Sequence, residues 1–180
     1  DGKVAEAVGL SDEQLEVFSA CAAAGFYSRE VFLEAGGFDE DYFSYFEDVD
    51  LGFRLRLSGY RCLYIPQAVV HHVGSSSTGR KSDFSVYYGY RNMIWTFVKN
   101  MPAPLFWIFL PLHIITLLFF FLYLTLRGQG GAISRAIIHA LHGMPKALSR
   151  RKRIQQDIKI KPQDLIKAMS TGLLEPYFEF

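Results

Sequence analysis

Residues 39–50, DEDYFSYFEDVD, place six carboxylates in twelve positions: Asp39, Glu40, Asp41, Glu47, Asp48 and Asp50. Acids at this density can ligate a hard cation, complement the positive end of a helix, or take a proton from a hydroxyl nucleophile. An EF-hand loop does not fit. It requires an oxygen ligand at its fifth position, glycine at its sixth and glutamate at its twelfth, and counting from Asp39 those places hold Phe43, Ser44 and Asp50. A helix start fits better, because first-turn acids suit the dipole and Asp50 can pair with Arg54 at i, i+4. That reading accounts for Asp50 and Glu47 but leaves five aromatics among the acids: Phe38, Tyr42, Phe43, Tyr45 and Phe46. They bring apolar surface beside groups that prefer water. A sugar-binding cleft uses that combination, with rings against C–H faces and carboxylates accepting from hydroxyls. On pattern alone the cleft and the solvated helix start both stand. Downstream, His71 and His72 end the run AVVHH. Neighbours on a strand point to opposite faces, so only one of the pair can enter a cleft, as a ligand or as an ordinary strand end.

The elements that must position these groups read as an alternating α/β layer. Capping-box spacing of Ser11 and Gln14 predicts a short helix over 11–18, and FSACAAAGFY, residues 18–27, reads as a buried strand or tightly packed turn. SREVFLEAGGF predicts a helix with Ser28 as N-cap, Val31, Phe32 and Ala35 inward, and Gly36-Gly37 as its stop. A second helix is expected from Glu47 to Ser58 with Gly59 at its C-terminal cap, then buried strands RCLYI and AVVHH interrupted by Pro66. GSSSTGRKSD has loop composition, and an aromatic helix capped by Ser82 or Asp83 follows.

Half of the residues are hydrophobic and 16% aromatic, high for a soluble domain, while the formal charge of +1 argues against a nucleic-acid partner. Much of the excess lies in residues 105–126, whose only ionisable side chains are His113 and Tyr123. At about 1.5 Å per residue this helix is roughly 33 Å long, enough for a hydrocarbon core. It reads as membrane-spanning or membrane-inserted, with Trp95, Trp107 and Tyr123 as interfacial anchors. Beyond it, Ile133, Ile137, Leu141, Met144 and Leu148 recur at helical spacing beside Arg135, Lys146 and Arg150–Arg153. That is the pattern of a basic amphipathic helix on an anionic surface, or of a helix packed on the protein with a solvated basic face, with Pro145 dividing it. Cys21 and Cys62 lack metal-type spacing and read as buried thiols in a reducing compartment.

The ordered string GGFDEDYFSYFEDVDLGFRLRLSGYRCLYIPQAVVHHVGSSST resembles the C-terminal half of the catalytic domain in glycosyltransferase family 2, above all its rhamnosyltransferase-like branch. The resemblance rests on Gly-Gly-Phe-Asp-Glu, on Glu-Asp followed by Leu51 and Arg54, on Ser-Gly-Tyr, and on Pro-x-Ala leading to His. YRN and VKNMP before the apolar helix belong to the same pattern, which covers about residues 18–100.

The resemblance implies a GT-A (Rossmann-like) α/β fold over 1–101, a membrane helix over 102–127 and amphipathic C-terminal helices over 128–180. It further implies an inverting transfer from a nucleotide-sugar donor to a lipid-linked or glycan acceptor, assisted by Mg²⁺ or Mn²⁺, on the cytoplasmic side of the cytoplasmic membrane. Carried over, Asp48 is the general base, Glu47 its neighbour at the acceptor, and Asp50 with Arg54 their structural support. Asp39 and Glu40 border the acceptor, His72 is the metal ligand, and Arg80, Lys81 and Arg91 are contacts for the donor phosphates. The family's Asp-x-Asp before this region has no counterpart here, since Asp39-x-Asp41 lies in the wrong segment. The sequence is therefore expected to begin inside the domain and to be inactive alone. A non-catalytic membrane scaffold is the rival reading. A processive polysaccharide synthase is the other, but no Gln-x-x-Arg-Trp motif occurs.

Overall fold

The computed structural model describes residues 15–71 and 82–169. In chain order these hold strand β1 (Leu15–Val17), helix α1 (Arg29–Glu34), a 3₁₀ turn (Glu40–Tyr42), α2 (Glu47–Leu57), β2 (Cys62–Tyr64), α3 (Asp83–Asn100), α4 (Ala103–Leu126), α5 (Gly130–His142), α6 (Met144–Gln156) and α7 (Pro162–Ala168). The architecture is mostly helical. The one sheet among the described residues pairs β1 antiparallel with β2, Glu16 opposite Leu63, in place of the expected Rossmann-like layer.

The helices end where their local chemistry ends them. Ser82 accepts from the Ser85 amide and starts α3. Gly59, at φ 87°, lets the Tyr60 amide return to the Leu55 carbonyl and closes α2. Gly36 and Gly37 do the same for α1, although the Ser28 hydroxyl makes no capping bond. Pro145 sits in the first turn of α6, where its missing N–H costs nothing, and α5 and α6 part at Gly143.

Several expectations are corrected. Leu15–Val17 is a strand, not the end of a helix, because β2 offers it a ladder; residues 11–14 lie outside the described residues. Residues 18–27 form a bend and turn and not a strand, with Phe18, Ser19, Ala20 and Tyr27 half-buried and residues 21–24 exposed. In AVVHH no strand forms over 68–71, where Val69 and Val70 stay exposed after Pro66, which lacks a ladder donor. Cys21 is exposed and Cys62 half-buried, both free thiols. Trp95 is no interfacial anchor: its indole donates to the Ala140 carbonyl at 3.0 Å.

Helix α3 is the spine. One side packs on α4 in an antiparallel register, with Phe97 stacked on His113, Tyr90 tilted against Phe120, and Val86 clustered with Leu124. Small residues of α5, Ala132, Ala136 and Ala140, bury completely as α5 closes on α3 and α4. Its Gly143 lies under the Trp95 ring, where a Cβ would come within 2.3 Å. The other side of α3 meets α2, where Phe53 and Leu57 join Phe97, Val98, Met101 and Leu165 of α7 in the main core. Burying a side chain such as Leu57 contributes about 1.5–3 kcal/mol.

Candidate active site at the mouth of α2

Between α2 and α3 the core turns polar. Asp50 has no exposed surface, and its carboxylate accepts from Tyr42 Oη (3.0 Å), Lys99 Nζ (2.8 Å), Asn100 Nδ2 (2.8 Å) and Arg54 Nε (3.0 Å). Burial alone would raise this carboxyl, but Lys99 and Arg54 outweigh it and hold it below the ordinary aspartate value. Lys99 also reaches Asp39 at 2.5 Å, so two carboxylates eleven positions apart share one buried ammonium. Arg54 continues outward to the Ala35 and Gly37 carbonyls at the end of α1. Such a network rigidifies a core where its members are satisfied, and Asn100 Oδ1 is the one buried side-chain atom in it without a partner among the described residues.

The segment between the 3₁₀ turn and α2 carries three non-glycine residues in the left-handed region: Phe43 (φ 62°), Tyr45 (φ 65°) and Phe46 (φ 68°). Each costs about 1–3 kcal/mol and persists only where the surroundings over-determine it. Two consecutive residues of α3 supply the restraint. Arg91 donates to the carbonyls of Asp41 and Tyr42, each at 2.9 Å, and Asn92 Nδ2 to those of Tyr42, Ser44 and Tyr45 at 2.8–3.0 Å. The Arg91 guanidinium also stacks on Trp95 and Tyr88, 4.4 and 4.7 Å from their ring centres. Phe43, held this way, is 73% exposed and leans on Tyr88 and Phe84, forming an aromatic wall beside the first turn of α2.

That turn presents Glu47 and Asp48. Asp48 is half-buried; its Oδ2 accepts from the Ala22 amide at 3.0 Å and its Oδ1 from the Val49 amide at 2.8 Å. Backbone N–H groups, not cations, therefore aim this carboxylate. Ser19 braces the same turn by donating to the Asp48 carbonyl at 3.1 Å, and Gly52 makes room for it: a Cβ there would lie 2.4 Å from that of Ser19. Glu47 Oε2 is buried without a partner among the described residues, and burial, with the Asp48 charge adding to it, raises this carboxyl. Tyr27 completes the surroundings. Its phenol is pushed up by burial first and by the Asp48 charge second. A proton acceptor fixed by backbone, a neighbour that favours its neutral form and an adjacent aromatic wall can hold a hydroxyl compound and take its proton.

The other expected groups fall differently. Asp39 is buried on Lys99 and Arg150, and Asp41 pairs with Lys146 and Arg150 at 2.7 Å, which ties the acidic segment to α6. Glu40 is exposed. Arg91 is placed on loop carbonyls. His72, Arg80 and Lys81 lie outside the described residues. Among the described residues no three His, Cys, Asp or Glu side chains converge as a cation shell. Sequence reasoning missed Asn92, Lys99, Asn100, Tyr27, and Thr96, whose hydroxyl pairs with Tyr42 Oη at 3.0 Å. The two segments quoted before the apolar helix, YRN and VKNMP, contain Arg91-Asn92 and Lys99-Asn100, and pairs of polar residues inside an otherwise aromatic helix were the available signal.

A family model described as "Glycosyl transferase family group 2" matches residues 16–144. Two curated relatives, the N-acetylglucosaminyl-diphospho-decaprenol L-rhamnosyltransferases of Mycobacterium tuberculosis strains CDC 1551 / Oshkosh and ATCC 25618 / H37Rv, are each 54% identical over 52 residues. That match covers 29% of this chain and 17% of the relative. No solved structure matches.

Proposed function

The chain belongs to glycosyl transferase family group 2, and on that premise we propose that it takes part in transferring a rhamnosyl group from a nucleotide-activated donor to a lipid-linked N-acetylglucosaminyl diphosphate at the cytoplasmic face of a membrane. The observation that carries this reading is the division of labour on α2. Asp50 is consumed by four donor residues, whereas Asp48, two positions earlier, is aimed by backbone amides and meets no cation at salt-bridge distance among the described residues. An acceptor hydroxyl beside Asp48 gives up its proton to the carboxylate as its oxygen bonds to the anomeric carbon. The bond from that carbon to the donor diphosphate breaks on the opposite face, so the configuration inverts. Phe43, Phe84 and Tyr88 supply apolar surface for the acceptor. Glu47, beside Asp48 in the first turn of α2, contacts a second acceptor oxygen.

A divalent cation with His72 as a ligand, and Arg80 and Lys81 toward the donor phosphates, remain part of the proposal. His72→Ala tests the first: it raises the Mg²⁺ or Mn²⁺ concentration needed for half-maximal activity, and an unchanged requirement assigns His72 to structure. The reaction itself is tested with Asp48→Asn in the full-length parent enzyme, supplied with nucleotide-activated L-rhamnose and N-acetylglucosaminyl-diphospho-decaprenol. Transfer falls by at least about 100-fold if Asp48 is the base; transfer at the unaltered rate sinks that assignment.

A further inference from the structure

Helix α4 is long and apolar enough to cross a bilayer. Its surroundings are one-sided, and we infer that it lies in the plane of an anionic membrane surface, with its outer face in lipid and both ends on the same side. This rests on the membrane association proposed above and not on the sugar-transfer step.

One stripe of α4 is covered from end to end. Leu105 and Leu124, nineteen positions apart, are both buried at opposite ends of the helix, and Phe109, His113 and Phe120 between them are half-buried. His113, the one basic side chain in the run, belongs to this inner stripe and stacks flat on Phe97 at 4.3 Å. The opposite stripe is bare over the same length: Trp107, Ile108, Ile115, Phe119, Leu122 and Leu126 are each at least 60% exposed. At about 100° per residue these six fall on one face, roughly opposite the inner stripe.

What covers the inner stripe cannot follow α4 through a bilayer. Helix α3 carries Asp83, Arg91 and Lys99, the last two buried against the polar acid-rich segment on its far side. Helix α5 has 13 residues, about 20 Å, too short for a hydrocarbon core of about 30 Å. A perpendicular α4 would pull both, and the buried ion cluster behind them, to bilayer depth, where charged groups are expensive. Lying flat, α4 buries only its bare stripe and leaves the polar body in water.

Helices α5 and α6 extend the same surface. On α5, Ile137 turns toward Leu124; Leu141 and Leu148 follow it at i+4 and i+11 and are exposed. Arg127, Arg135, Lys152 and Arg153 are exposed around this apolar edge and make no ion pair with any described residue, so they are available to lipid phosphates. A face that is apolar at its centre and cationic at its margin fits an anionic bilayer better than a second copy of itself, which would bring like charges together.

The test is carried out on the full-length parent protein with Cys21→Ser and Cys62→Ser, adding Ala103→Cys or Arg127→Cys; both of those positions are exposed, and circular dichroism checks each variant's fold. A membrane-impermeant maleimide labels both sites in inside-out vesicles and neither in sealed spheroplasts if α4 lies flat. Labelling of the two sites from opposite sides overturns the inference and leaves membrane association standing. In flotation, the purified protein rises with phosphatidylglycerol-containing vesicles, and Arg135→Gln with Lys152→Gln lowers that partitioning about tenfold or more. Protein that stays at the bottom, as monomer or dimer, overturns both the inference and the membrane reading, while the rhamnosyl-transfer assay reports separately on the chemistry.

Discussion

Asp48 and Asp50 stand two residues apart in the first turn of α2 and occupy opposite environments. Asp50 is fully buried on Lys99, Arg54, Asn100 and Tyr42, while Asp48 turns about 200° away to the Ala22 amide beside Tyr27. Substituting each should therefore separate stability from activity. Asp50→Asn leaves Arg54 without its carboxylate and Lys99 with Asp39 alone, and costs about 3–5 kcal/mol in urea unfolding. Asp48→Asn, losing no cationic partner, stays within about 1 kcal/mol of the parent while its transfer rate falls by about two to four orders of magnitude. Equal destabilisation by the two changes would contradict this division.

Glu47 gives a pH dependence of the opposite sign to Asp50. Its folded carboxyl is raised by burial above the ordinary glutamate value of 4.5, so the native state holds this proton more tightly than the unfolded chain. The contribution to stability is present below that value and is lost as pH rises through the raised folded one. Glu47→Gln removes the titration. Its melting temperature should exceed the parent's at neutral pH, with the gap closing toward pH 4 or so; a gap that widens in acid would refute it.

The loop restraint by α3 is open to a direct test. Asn92→Ala removes a donor from the Tyr42, Ser44 and Tyr45 carbonyls, of which Tyr42 keeps Arg91, at a cost of about 1–3 kcal/mol, and releases Phe43, Tyr45 and Phe46 from the left-handed region. Chymotrypsin should then cut at these aromatics faster than in the parent under native conditions. Unchanged cleavage would show that Asn92 is not what holds the loop.

Gly52 and Ser19 form a steric pair. Gly52→Ala drives a Cβ into that of Ser19, now 2.4 Å from where it would stand, costing about 1–3 kcal/mol and shifting the 19–22 segment that aims Asp48. Ser19→Gly in the same chain should restore most of the stability. Failure of that rescue would place the clash elsewhere.

Local chemistry was legible before any coordinates. Ser82, Gly59 and Gly36-Gly37 mark helix ends within a turn or so of themselves, and the pairing of Asp50 with Arg54 needs only the helical repeat. The Glu47-Asp48 motif and the apolar run of α4 were equally plain. The strand over AVVHH was not, because β-branched composition states a preference while a strand requires a partner, and β2 took β1 instead.

Sequence by itself determined which residues are acidic, where helices start and stop, and that one helix is apolar on every side, since each depends on neighbours within a few positions. Only the tertiary structure decided which acids remain available. Lys99 neutralises Asp39 and Asp50 from 60 and 49 residues away, Arg150 closes on Asp39 and Asp41 from beyond the apolar helix, and α3 hides one face of α4 while leaving the other bare. Those outcomes depend on which surfaces meet when helices pack, and contacts between residues so far apart leave no periodic trace in the chain.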